Sequence, residues 1–365
     1  MAIEVAKVEL KTVQDASGLE QKIAQGAFTA DQVIAVIGKT EGNGGANDFT
    51  RGYATSSYQT LLSKHLGISP EEVGRKIAFV WSGGTEGVLS PHATVFTRSA
   101  VQGKASGPRL AMAIEVTRDI LPEEVGTMAQ VNEVAEATRR CLKATGITDP
   151  KDVHYVQVKG PLLTPASIAD ADKRGKALRT RDPNGSKPYA RGATALGVAL
   201  GLGEAAARDV NDEAIARRFD LFSSVASTSA GGELKNCEVL LFGNSPNATG
   251  DLRIGHGVLK DAIDADGVRD ALKSAGLSFN CNPTEDEAKR ILAVFAKAEA
   301  SPTGAIRGRR NTMLSDADIN YERHARAAVG AVIASITRDP AIFVSGGTEH
   351  QCAPGAAPIA AIVRV

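Results

Sequence analysis

A lysine closing an apolar run, then an arginine, then a serine-glycine loop: this ordered set occurs three times along the 365 residues. The lysines are Lys39, Lys159 and Lys297, reached through the strand-like stretches 33–37, 155–158 and 291–295. The arginines are Arg51, Arg191 and Arg323, lying in segments 49–54, 189–194 and 321–326. The serines head Ser82-Gly83-Gly84-Thr85-Glu86, Ser229-Ala230-Gly231-Gly232-Glu233 and Ser345-Gly346-Gly347-Thr348-Glu349. Any single copy reads as an ordinary strand end and turn. Three copies in one order constrain the chain to three similar units, each of which must present its set to a common place.

The length agrees, since 365 residues exceed most single cores and suit two or three units of ordinary size. Turn-rich residues 103–108 and 244–250 place the boundaries near 105 and 252, giving units 1–105, 106–251 and 252–365. Each unit is expected to open with a helix-rich segment and pass into the strand ending at lysine. An arginine-led helix follows, and the unit finishes as strand, serine loop, strand. Alanine and leucine recur at helical spacing over 55–66, 193–202 and 325–336, and residues 93–96, 239–242 and 359–363 read as closing strands. Glutamate-rich Pro122-Glu123-Glu124 and Thr284-Glu285-Asp286-Glu287 read as helix starts. Lysine and arginine stand 12, 32 and 26 residues apart, so the second and third units carry inserts, 170–187 and 303–318, read as surface loops. The class is mixed α/β.

Forty-two Lys and Arg balance forty-two Asp and Glu, so no field of one sign draws a nucleic acid or an anionic membrane. Charges at Glu4 and Lys7 interrupt the apolar stretch that a signal peptide needs, and no run approaches membrane-spanning length. A soluble, cytoplasmic protein is expected. Cys141, Cys237, Cys281 and Cys352 are too far apart for a redox or zinc motif and read as reduced thiols. Gly38-Lys39-Thr40 fails as a nucleotide loop, because Val33 stands where that pattern needs glycine. The glycines of Gly201-Leu202-Gly203 follow an alanine-rich helix and read as its end. The histidines read as packing or surface residues, with His350 next to the third serine loop, and Trp81 reads as core.

A serine hydroxyl is a weak nucleophile until a base removes its proton, and a lysine can do so when burial or neighbouring cations lower its pKa. Three lysines and three arginines around one cavity would supply both influences. Glycines let backbone N–H groups approach an oxygen that is gaining charge, while guanidinium forks orient carbonyls. A pocket repeated three times suits a small planar ring with three alternating carbonyls, a cyclic imide or ureide.

On these residues the chain resembles the cyanuric acid amidohydrolase and barbiturase family over essentially its whole length. That resemblance implies three similar domains around a pseudo-threefold axis, a central active site and hydrolysis of a cyclic amide without a catalytic metal. It implies Ser229 as nucleophile and Lys159 as base, with Ser82, Lys39, Ser345 and Lys297 binding and polarising the other faces of the ring. Arg51, Arg191 and Arg323 would grip its carbonyls, and Gly83, Ala230 and Gly346 would offer N–H groups. It further implies a structural divalent cation, magnesium or calcium, held by Glu299 with oxygens from Thr348, Gln351, Cys352, Ala353 and Ala356, and a homotetramer. The expected reaction converts cyanuric acid to carboxybiuret and then biuret. Barbituric acid as substrate, and a sensor that binds a cyclic imide without turnover, remain the alternatives.

Overall fold

The computed structural model describes residues 1–100 and 107–365; the boundary expected at 105 lies outside the described residues. The first unit runs β1 (Ala2–Glu9), α1 (Ser17–Ala24), β2 (Val33–Thr40), α2 (Thr50–Leu66), α3 (Pro70–Lys76), β3 (Ala78–Gly83) and β4 (His92–Ser99). The second runs β5 (Arg109–Asp119), α4 (Met128–Thr145), β6 (Val153–Pro161), α5 (Pro165–Lys173), α6 (Ser186–Leu202), β7 (Ala226–Gly231) and β8 (Asn236–Ser245). The third runs β9 (Leu252–Leu259), α7 (Ala265–Ser274), α8 (Glu285–Ala288) and β10 (Ile291–Ala298). It continues through a short hairpin, β11 (Ala305–Ile306) and β12 (Arg309–Arg310), to α9 (Tyr321–Thr337), β13 (Phe343–Gly346) and β14 (Ala357–Arg364).

The three large sheets share one topology, β1-β4-β2-β3, β5-β8-β6-β7 and β9-β14-β10-β13. In each, the lysine strand lies antiparallel to the closing strand and parallel to the serine strand. The class is α/β, as the alternating pattern implies.

Both faces of each sheet are covered, which is why the lysine strands read as continuous apolar runs. Outer faces pack on the unit's own helices: Val36, Phe79 and Trp81 meet Ala54, Tyr58 and Leu62 of α2. Inner faces of all three sheets meet in one shared core containing Ile37, Phe96, Tyr155, Phe242, Phe295 and Phe343. There Phe96 lies 5.2 Å from Phe242 and 6.3 Å from Phe295, one aromatic ring from each unit. Two residues beyond Ile37, Gln157 and Phe295, the pleat brings Lys39, Lys159 and Lys297 to the same inner faces. All three lysines are buried.

Several sequence expectations need correction. Each unit opens with a strand before its first helix; β1, β5 and β9 escape notice because charged residues such as Glu4, Lys7 and Glu115 punctuate them. Insert 170–187 is not all loop, since α5 occupies its start and α6 begins at Ser186, and insert 303–318 contains the β11–β12 hairpin. Pro122–Glu124 forms one 3-10 turn rather than the start of a longer helix, whereas Thr284 caps α8. Gly203 does end α6, in the left-handed conformation at φ 77°.

Candidate active site

Strand register delivers the chemistry. In the parallel pairs Lys39 stands beside Ser82, Lys159 beside Ser229 and Lys297 beside Ser345. One small cavity of about 30 Å³ is lined by Ser82, Ser229 and Ser345, together with Gly83, Ala230, Gly346, Arg51, Arg191 and Lys159. It adjoins an outer hollow of about 420 Å³, and Gly44, Lys187, Arg191 and Glu322 line both.

The units interlock in a circle. Lys39 donates to the Val344 carbonyl at 2.7 Å, Lys159 to that of Trp81 at 2.9 Å, and Lys297 to that of Thr228 at 2.7 Å. Every lysine thereby holds the residue preceding another unit's serine. A second circle joins each arginine to the glutamate four residues beyond a serine. Arg51 meets Glu233 at 3.1 Å, Arg191 meets Glu349 through two bonds of 2.7 and 2.8 Å, and Arg326 meets Glu86 through bonds of 2.6 and 2.8 Å.

Arg323 is therefore not the third cavity arginine. It sits one turn nearer the start of α9, about 4.5 Å along the axis, where its side chain is 49 % exposed and lines the outer hollow. Arg326, 3 % exposed, takes the inner place. The signal was present in the sequence: Ala325-Arg326-Ala327-Ala328 follows the pattern of Ala190-Arg191-Gly192-Ala193 better than Tyr321-Glu322-Arg323 does. The serine-to-glutamate spacing, identical in all three loops, likewise foreshadows Glu86, Glu233 and Glu349. Nothing in the local pattern announces Glu322, which receives Arg191 at 2.9 Å and Lys187 at 3.0 Å across two units.

Burial is the leading influence on all three lysines. It drives Lys39 far below the ordinary ammonium value, with Arg326 adding to the effect, and brings Lys297 to about 7, with Arg191 adding. Lys159 is also lowered by burial, but the Glu233 carboxylate opposes the shift while Arg51 assists it.

The flanking pairs are closed: Lys39 donates to Ser82 Oγ at 3.1 Å, and Lys297 to Ser345 Oγ at 3.3 Å. In the middle unit Lys159 instead lies 3.2 Å from Glu233 Oε1. Ser229 Oγ is buried and makes no hydrogen bond to any described residue. Backbone shape differs as well. Gly84 and Gly347 take positive φ, 102° and 82°; where a Cβ would project, Gly84 meets the Glu86 carboxylate and Arg326, and Gly347 meets Arg191. Their counterpart Gly231 continues β7 as strand.

Glu299, just past β10, accepts the Thr348 N–H at 3.0 Å and its hydroxyl at 3.2 Å. Burial, helped by Glu349, pushes its carboxyl up to about 7. Gln351 turns its side-chain oxygen toward the Thr228 N–H at 2.7 Å, Cys352 is a buried free thiol, and the Ala353 carbonyl accepts the Ala356 N–H at 3.0 Å. Among the described residues no cluster of three His, Cys, Asp or Glu side chains suits a metal, and no helix is long and apolar enough to cross a membrane. His350 is a packing residue that bonds the Leu221 carbonyl and accepts the Ala216 N–H, and Trp81 is core.

Residues 4–364 match the family model described as amidohydrolase ring-opening protein. The chain belongs to this ring-opening amidohydrolase family. Over its full length, and the full length of the relative, it is 69 % identical to a cyclic amide hydrolase of Azorhizobium caulinodans. It is 52 % identical to a cyanuric acid amidohydrolase of Enterobacter cloacae, again with both chains fully covered. A solved cyanuric acid hydrolase, described as evolutionary innovation by structural concatenation, superimposes with a TM-score of 0.95 at 49 % identity, covering 100 % of this chain and 99 % of the other. A ring-opening amidohydrolase built from three like sheets accounts for the mixed α/β class and for the repeated motifs.

Proposed function

We propose that this ring-opening amidohydrolase hydrolyses cyanuric acid through Ser229 and Lys159. The observation that carries the reading is the gathering of three serines, two lysine–serine bonds and three inward arginines at one cavity, with the regular pattern broken only in the middle unit. Cyanuric acid repeats one carbonyl and one N–H three times around its ring, so equivalent groups can meet equivalent partners. Names of full-length relatives add support.

In this mechanism Arg51, Arg191 and Arg326 orient carbonyl oxygens, while Ser82 and Ser345, held by Lys39 and Lys297, bond the other faces of the ring. Neutral Lys159 takes the proton from Ser229 Oγ as that oxygen bonds to a ring carbonyl carbon. The developing oxyanion is met by backbone N–H groups of the Gly83, Ala230 and Gly346 loops. Lys159 then returns the proton to the departing ring nitrogen and the C–N bond breaks, leaving an acyl-enzyme. Water, deprotonated by Lys159, releases carboxybiuret and restores Ser229; loss of carbon dioxide gives biuret.

Glu299 fits a structural divalent cation, being a buried carboxylate with no Lys or Arg within ion-pair distance among the described residues. Magnesium or calcium there would balance its charge, with backbone oxygens of the 348–356 turn as further ligands. A homotetramer is also proposed, and sedimentation of the purified protein tests it. Incubation with cyanuric and barbituric acids, followed by mass spectrometry, tests the activity. Loss of cyanuric acid with growth of biuret is expected; turnover of barbituric acid alone reassigns the substrate, and tight binding without turnover of either ring makes the protein a sensor.

A further inference from the structure

Glu86, Glu233 and Glu349 occupy equivalent places, yet among the described residues only Glu233 touches a lysine. Glu86 is gripped by Arg326, and Glu349 by Arg191, each through two short bonds. Glu233 is shared: Arg51 reaches it less closely, at 3.1 and 3.4 Å, and Lys159 lies at 3.2 Å. Its carboxylate also folds back over Gly231, where a Cβ would stand 2.2 Å from Oε2. Glu86 folds back over Gly84 in the same way with Arg326 behind it, whereas Arg191 takes the space beside Gly347. The carboxylate that is shared with a lysine is the one in the unit whose serine has no hydrogen-bond partner among the described residues.

We propose that Glu233 is a positioning residue for the reaction: it ties Arg51 to Lys159 and, in the free protein, holds Lys159 off Ser229. The inference rests on Ser229 and Lys159 being the reacting pair. A Lys159 paired with carboxylate is held as the ammonium, and the base is freed only when the contact loosens. The groups facing Lys159 are Glu233 from the turn between β7 and β8, Arg51 from α2, Asp48 from the loop before it, and Glu238, its register partner on β8. Arg51 also lines the cavity, so a ring carbonyl bound to its guanidinium would compete with Glu233 and alter the hold on Lys159. The flanking glutamates act on Lys39 and Lys297 only through space, with no ion pair to either among the described residues, so ligand on Arg191 or Arg326 carries a weaker message through them.

The test compares the pH dependence of kcat/KM for Glu233→Gln, Glu86→Gln and Glu349→Gln. Turnover needs neutral Lys159 and so rises with pH through its pKa. Removing the negative charge of Glu233 lowers that pKa, so the acid limb should move to lower pH by about one unit. Glu86→Gln and Glu349→Gln should raise KM and leave the limb in place. Glu233→Asp, which keeps the charge, should restore the wild-type limb at least in part. An unmoved limb in Glu233→Gln, or equal movement in all three variants, overturns the inference. An active Ser229→Ala variant instead overturns the assignment beneath it, so the two failures are distinguishable.

Discussion

Lys39 and Lys297 each bond their own serine, while Lys159, set by the same register beside Ser229, bonds elsewhere. The flanking serines are held as fixed hydrogen-bonding groups; the middle hydroxyl is free of any described partner. Equivalent backbone positions thus make unequal contacts where one loop carries Ala230 for Gly83 and Gly346 and Gly232 for Thr85 and Thr348, and where one glutamate takes Lys159 as a second partner. On the proposed reading, two alike faces bind the ring of repeating carbonyls and the third, unlike face is where the bond is cut.

The largest effect that tests this contrast is on Ser229. Ser229→Ala should lower turnover by on the order of 10⁴-fold or more with the fold intact, measured by mass spectrometry of ring loss. Ser82→Ala and Ser345→Ala, which on the proposed reading remove binding groups only, should cost about 10²- to 10³-fold. Equal losses at all three serines would erase the distinction.

A second comparison sets Glu299 against Glu41, which stands at the same offset from Lys39 but is exposed. A buried carboxyl raised from 4.5 to about 7 favours the protonated folded state. Stability should therefore fall as pH climbs through that window, by up to about 3 kcal/mol, and level off above it. Thermal unfolding of chelator-treated protein at pH 5 and pH 8 should show that fall, magnesium or calcium should offset it, and Glu299→Gln should flatten it. An unchanged slope in Glu299→Gln would remove this residue from any cation site.

A smaller effect separates the two arginines of α9. Arg326→Ala should lower kcat/KM by about 10²-fold, because it deletes charge-assisted bonds to Glu86 and, on the proposed reading, to substrate. Exposed Arg323→Ala should change it less than about threefold. Reversal of that order would return Arg323 to the cavity.

What could be read from the chain followed its geometry. Lysine strands buried on both faces announce themselves as uninterrupted apolar runs, and the serine loops carry glycines that no helix would hold. Strand β1, partly exposed and bearing Glu4, Lys7 and Glu9, has no such signature. In the site, Lys39, Lys159 and Lys297 were legible because each is tied to its own unit. The pairing of Arg326 with Glu86 was not, since its members stand 240 residues apart and neither has a local partner to explain it. Arg323 and Arg326 both lie on α9 on neighbouring parts of one face, about 60° and one turn apart, and the local pattern does not say which of them reaches the cavity.

The circle of arginines and glutamates has a bearing on how such a molecule can be shortened or lengthened. Delete the second or third unit and one guanidinium and one carboxylate, both largely dry in the whole protein, lose their partners in that circle at the cut. A two-thirds fragment thus inherits stranded charge of each sign, and a fourth copy would find no vacancy. Closure at three is written into the wiring, whatever the loops between.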